Sequence, residues 1–359
     1  MGLETGNTIY FDMPREQFSY WNTDGAGREM IRALIRTGHV DCLHSYGDLA
    51  DSREHALRAL DELSRHDCRL EVWIDHGAVP SNFGEDIMRG FGDVPGHPAF
   101  HADKTCGYGI RYVWRGRVTS VIGQESRRCL RGIFRPSRPL DSSLTLAKEF
   151  AKGFLGFAGS QKYAMHGPNR VLRTARLRSE HKVYEFMRAN PHWGGVSRGD
   201  TSAGLADVLH ERVLETLMER EGIMVLYTHL GKADEEGNRF GVDERKALER
   251  LSRYCREGRI LVTTTRRALG YCRMTQEISV SGGWRNGRES FDVAVDTRGL
   301  GGHEEDLDGL TFYVPDPART RVTVDGKEIH GIRRNPPDPS GLGSLSFPWR
   351  RLEFPGGSP

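Results

Sequence analysis

The chain has 359 residues, 28% of them charged, yet its formal net charge is only +2. That length buries a large core and fits one α/β barrel with an appendix, while near-neutrality removes any global field that would hold the whole chain on nucleic acid or an anionic membrane. The six scattered cysteines form no C-x-x-C pair, which argues against a zinc knuckle or a disulfide framework and favours a reducing cytoplasm.

The N-terminus lacks the basic, apolar, small-residue order of a signal peptide, and no apolar run approaches the roughly 18 residues of a spanning helix. A soluble, cytoplasmic protein without a membrane span is expected. Met30, Ile31, Leu34 and Ile35 form a helical stripe stopped by Gly38, followed by an apolar strand over 40–43. Ala56, Leu57, Leu60 and Leu63 repeat the pattern ahead of a strand over 70–74, and a further strand is predicted over 109–114. Residues 115–203 break the rhythm with Arg-Pro-Ser-Arg-Pro, a Gly/Phe-rich stretch and Asn190-Pro191-His192-Trp193-Gly194-Gly195, and read as an insertion that forms a lid or substrate wall. A helix over 204–221 with a strand over 223–227, then a helix over 243–257 with a strand over 259–264, restore the alternation. After about 275, short alternating strands such as 310–314, 321–324 and 327–329 predominate, the last two joined by the turn Asp325-Gly326.

Helix-then-strand alternation implies a parallel sheet with covering helices. The expected fold is α/β: a distorted (β/α)7-type barrel, whole or incomplete, over 1–274, followed by a small β-rich domain over 275–359. In such folds reactive groups collect beyond the C-terminal ends of strands. Three strand exits here are rich in polar groups: His44-Ser45-Tyr46-Gly47-Asp48, Asp75-His76-Gly77 and Thr228-His229-Leu230-Gly231. Histidines at three such exits can converge on one point, although each alone also suits a satisfied strand end. Tyr46, Asn82, His192 and Trp193 are candidate substrate contacts, and Trp21, Trp73 and Trp114 can stack on sugars or simply pack in the core.

Residues 38–48, GHVDCLHSYGD, resemble the second motif of the NodB-homology polysaccharide deacetylases, in which a GHE-type turn and strand lead to H-[ST]-x-x-H. The match covers the turn, the strand, His44 and Ser45; Asp48 stands where the family has its second histidine. Residues 222–229, GIMVLYTH, resemble the family's late strand ending in L-x-H, with Leu226 one residue further from His229 than that spacing. Residues 103–114 and 243–265 resemble further helix and strand pairs, so the likeness spans about 8–115 and 204–270. The family's T-F-D-D first motif has only Tyr10-Phe11-Asp12 and Asn22-Thr23-Asp24-Gly25 as counterparts, both close to His44. Either a first strand is missing or the site is remodelled.

The resemblance implies a divalent metal ion, zinc foremost, held by His44, Asp48 and Asp24, with Asp75 and His76 as base and partner and His229 as the acid for the leaving amine. The implied activity is removal of an acyl group from an N-acyl or O-acyl carbohydrate. A degraded member that only binds a glycan is one alternative. A glycoside hydrolase using two of Asp24, Asp48 and Asp75 is another. No G-x-G-x-x-G follows a strand and no G-x-x-x-x-G-K-[ST] occurs, so nucleotide binding has no support, and no nucleic-acid partner is expected.

Overall fold

A computed structural model describes residues 1–130, 132–198, 202–229, 241–285, 290–301 and 303–356. The chain divides into two compact units, Met1–Arg266 with Phe354–Pro359, and Arg267–Glu353. The partition falls near the start of a helix, ahead of the expected boundary at 275.

The larger unit begins with alternating strands and helices: β1 (Asn7–Ile9), α1 (Gly25–Arg36), β2 (Val40–His44), α2 (Arg53–Arg65), β3 (Val72–Ile74), α3 (Ala102–Tyr108) and β4 (Tyr112–Trp114), of which the apolar pattern does not predict β1. α1 starts where Asp24 caps it, accepting from Gly27 N at 2.7 Å, and turns Ile31 and Ile35 to the core. Every residue of β2, β3 and β4 is buried, as parallel strands covered on both faces should be.

Residues 115–203 are no excursion from this sheet. They form β5 (Val118–Thr119), α4 (Pro139–Phe157), β6 (Leu172–Arg176), β7 (Lys182–Phe186) and β8 (Arg188–Ala189). β7 pairs with β4 in parallel and β6 runs antiparallel beside β7, so the six-stranded sheet has the order β1-β2-β3-β4-β7-β6. Charge concealed these strands in the sequence. Glu185 of β7 is fully buried, and Arg115, Arg117 and Arg173 donate to it at 3.1, 3.2 and 2.8 Å. A paired buried ion is invisible to an apolar pattern. β5 and β8 form a separate parallel pair. Among the described residues the ladders trace no closed barrel.

Beyond residue 200 the unit has α5 (Ser202–Val208), α6 (Glu211–Glu219) and α7 (Val242–Arg256). The single helix expected over 204–221 is broken because His210 caps α6, its Nδ1 accepting from Arg212 N at 3.3 Å. Among the described residues the expected strands over 223–227 and 259–264 form no ladder, and Ile223 makes an isolated bridge to Gln124.

The smaller unit holds most of α8 (Thr265–Glu277), which crosses the partition. It is β-rich, as its composition suggested. β9 (Ser279–Arg285), β10 (Ser290–Asp296), β12 (Thr320–Val324) and β13 (Lys327–Glu328) form one sheet; β11 (Thr311–Val314), β14 (Arg333–Asn335) and β15 (Gly343–Ser346) form another. Val293, Val314, Val322 and Leu345 belong to one core. Asp325 and Gly326 both have positive φ, 51° and 84°, as a two-residue hairpin turn of the primed type requires. Among the described residues no helix is long and apolar enough to cross a membrane.

Candidate functional site

The chain leaves β2 through a strained corner. Ser45 and Tyr46 adopt φ of 52° and 61°, conformations that cost L-residues of order 1–3 kcal/mol each unless the surroundings hold them. They are held. Tyr46 O accepts from Phe11 N and Asp12 N at 3.1 and 2.7 Å, and the Tyr46 hydroxyl lies 2.7 Å from Thr105 Oγ1. Gly47, at φ 113°, completes the corner, since a Cβ there would sit 2.1 Å from Asp12 O. The exit of β1 is thereby locked against the exit of β2.

This lock assembles an aromatic and imidazole cluster from three adjacent strand ends. Tyr10, just past β1, stacks on His44 with ring centres 4.4 Å apart and 17° between planes. His76, just past β3, meets His44 edge-on at 4.8 Å and Tyr10 at 5.3 Å. His44 Nδ1 lies 3.2 Å from Ile74 O. A carbonyl only accepts, so Nδ1 carries the proton and Nε2 keeps its lone pair. Burial holds the His44 pKa well below its usual 6.5, with the fields of His76 and Arg188 adding to it, so the ring is neutral at pH 7. His76 Nδ1 lies 2.8 Å from Asp48 Oδ1, an acceptor, so Nε2 is the ring nitrogen turned away from the carboxylate.

The later part of the unit closes the other side. Arg188 of β8 is buried, its guanidinium carbon 3.2 Å from the centre of the Trp114 ring and 4.3 Å from that of Tyr227. The Tyr227 hydroxyl lies 2.8 Å from His229 Nε2. Arg188 and His229 both act electrostatically on His44, and Tyr227 acts on Tyr10. His44 and His229 therefore share one electrostatic neighbourhood; Leu230 and Gly231 of the third exit lie outside the described residues. Tyr10, Arg188 and Tyr227 were missed from the sequence. Arg188 follows β7, the strand that buried charge concealed, and Tyr10 follows a strand of only three residues.

Several candidates are engaged elsewhere. Asp75 points into the core: Oδ1 accepts from Trp73 Nε1 at 2.7 Å and Phe83 N at 2.9 Å, and burial pushes its pKa up to about 7. Asp48, not Asp75, is the carboxylate bonded to His76. Asp24 is spent capping α1, and Asp12 pairs with Arg58. Tyr46 is fully buried and so offers no face to a substrate. Asn82 is also fully buried: Oδ1 accepts from His76 N at 3.0 Å and Nδ2 donates to His76 O and Gly77 O, so it positions the His76 loop instead of touching substrate. His192 Nδ1 accepts from Gly194 N at 2.9 Å and its Nε2 lies 3.3 Å from Asp207 Oδ2. Trp193 lies under Arg135 and Arg138 and accepts a bond from Thr145 through its carbonyl. These two residues are tied to α4 and α5. Trp73 is a core residue.

The chemistry of His44 and His76 suits a divalent cation: both are imidazoles with Nδ1 committed to an oxygen, the arrangement that orients metal-ligating histidines. Among the described residues no group of three His, Cys, Asp or Glu side chains stands ready as a metal cage. The fit is to an open pair of imidazoles, with Asp48 orienting one of them. No family model, curated protein or solved structure matches the chain.

Proposed function

We propose that this chain is a hydrolase that removes an acyl group from an N-acyl or O-acyl carbohydrate, with a divalent ion, zinc foremost, held by His44 and His76. The observation that carries the proposal is the contact of Tyr10, His44, His76 and Asp48 at the ends of three neighbouring parallel strands. Bound there, the ion would polarise the acyl carbonyl and lower the pKa of its water towards ~7. Asp48, not Asp75, is the carboxylate bonded to the cluster, and we assign it the orienting role behind His76; the water, with its pKa so lowered, would release its proton to solvent. Arg188 supplies a fixed positive charge for the oxyanion that develops during attack. We assign His229, whose Nε2 lies 2.8 Å from the Tyr227 hydroxyl, the role of acid: the protonated ring gives one proton to the leaving group and is left as neutral imidazole.

We also read the main sheet as most of a distorted (β/α)7-type barrel. Support comes from Ala189 N donating to Val225 O at 2.9 Å, which sets the 223–227 segment beside β8, although the bridge between Gln124 and Ile223 is antiparallel. A glycoside hydrolase is disfavoured, since Asp24 and Asp75 are committed elsewhere and leave Asp48 without a carboxylate partner from the proposed set.

The test combines metal analysis of the purified protein with assays for released acid and for new reducing ends on acylated oligosaccharides. Acid release that requires a divalent ion and disappears in His44→Ala is expected. Absence of both bound ion and acid release overturns the proposal, and release of reducing ends alone assigns a glycosidase.

A further inference from the structure

Helix α4 is built inside out. Its inward positions are Ser142, Thr145, Glu149 and Gly153, small or polar residues where a surface helix normally places its apolar stripe. They are fully occupied there. Glu149 accepts from Thr119 Oγ1 at 2.6 Å, Ser120 N at 3.1 Å and Lys152 Nζ at 2.7 Å. Thr145 Oγ1 donates to Trp193 O at 2.8 Å. Gly156 adds a close approach, because a Cβ would come within 2.3 Å of Tyr163 O. The helix cannot be rolled over to hide its other face without stranding these bonds.

That other face is apolar and open. Leu140 is 85% exposed, Phe150 64%, Phe154 65% and Phe157 74%, with Leu144 between them, all on the side of the helix away from the buried positions. An apolar groove of about 620 Å³ between Phe134, Leu146, Phe150 and Arg212 extends the same surface. A continuous exposed patch of large apolar side chains marks a surface that is covered in use.

The charge around the patch selects what covers it. Residues 127–162 contain eight Lys and Arg against Asp141 and Glu149; Arg135 pairs with Asp207, Lys162 with Asp86 and Lys152 with the buried Glu149, so the cations at the surface around the patch come from the others. Arg127, Arg138 and Lys148 are exposed. The near-zero charge of the whole chain conceals this local excess. A second copy of the chain would bring the same basic rim against itself across a two-fold interface. A surface that offers apolar depth beneath negative charge complements both features.

We propose that α4 is a peripheral docking surface for an anionic phospholipid bilayer: Leu140, Leu144, Phe150, Phe154 and Phe157 enter the acyl boundary while the surrounding cations meet the headgroups. Interfacial helices bind by this combination of apolar burial and electrostatic attraction. Attachment of this kind needs no spanning helix. It is independent of the chemistry assigned to His44.

The test is sedimentation of the full chain with vesicles of phosphatidylcholine alone and of phosphatidylcholine mixed with phosphatidylserine. Wild type should co-sediment with the mixed vesicles far more than with the neutral ones, and added salt should weaken binding. The double variant Phe150→Glu/Phe154→Glu should reduce partitioning by at least about tenfold, since two phenylalanine burials are lost. Because both positions are exposed, its melting temperature should match that of wild type, and Arg138→Glu/Lys148→Glu serves as a second variant that leaves the aromatic face intact. Equal partitioning of wild type and variants overturns the proposal. Failure to bind vesicles also overturns it: a dimer that Phe150→Glu/Phe154→Glu converts to monomer then assigns the face to a second copy, and a monomer assigns it to a protein partner.

Discussion

Asp48 holds His76 by a 2.8 Å bond to Nδ1, although the two residues leave different strands and are 28 positions apart. The pair exists because the strained turn at Ser45, Tyr46 and Gly47 brings the chain back beside β3 as soon as β2 ends. A carboxylate behind an imidazole fixes its tautomer and raises its basicity. Asp48→Asn should therefore weaken divalent-ion affinity by about 10- to 100-fold while leaving the fold intact. Calorimetric titration of the purified variant with zinc checks this; unchanged affinity would remove Asp48 from the site.

Arg188 lies between the faces of Trp114 and Tyr227, so its charge is fixed in place by two rings. Arg188→Met preserves much of the side-chain volume and removes the charge. The turnover rate of acyl release should fall by about 10²–10³-fold, with KM changing far less, as expected for a group that acts on charge developing in the transition state. A matching rise in KM with an unaltered turnover rate would instead make Arg188 a substrate-binding residue.

The buried Asp75 carboxyl has a pKa of about 7 against 3.8 for an unburied aspartate. The folded state thus keeps a proton that the unfolded chain releases. Stability from this group is complete below the lower value and is lost as pH rises through the higher one. Asp75→Asn cannot ionise and can still accept from Trp73 and Phe83. The stability of the variant relative to wild type should increase from about pH 4 to about pH 7 and then level off, for a total of roughly 2–4 kcal/mol. Urea unfolding across that range measures the difference. A gap independent of pH would show that Asp75 does not titrate.

Asp24 gives the opposite kind of test. As the cap of α1 it should contribute about 1 kcal/mol to stability, so Asp24→Ala should lower the midpoint of urea unfolding. Its ion affinity and acyl release should equal those of wild type. A loss of ion affinity without a loss of stability would return Asp24 to the list of metal ligands.

The sequence by itself determined the mixed α/β character, the helices α1 and α2, the strands β2 to β4, and the β-rich C-terminal part. In each case apolar period and glycine stops agree with the final environment of the residues. His44 and His76 were identifiable because strand exits can be located from the strands that precede them, whereas the strand expected before His229 forms no ladder among the described residues. The strands β6 and β7 were not identifiable, since Glu185 is buried as an ion within a ring of arginines and breaks the apolar pattern. Arg188 was hidden along with them. Only the tertiary structure decided which carboxylate serves which partner: Asp24, Asp48 and Asp75 are chemically equal in the sequence, and backbone direction alone turned one to a helix cap, one to His76 and one into the core. The same holds for α4, whose apolar residues are plain in the sequence but whose outward orientation follows from the hydrogen bonds made by Thr145 and Glu149 on its other side.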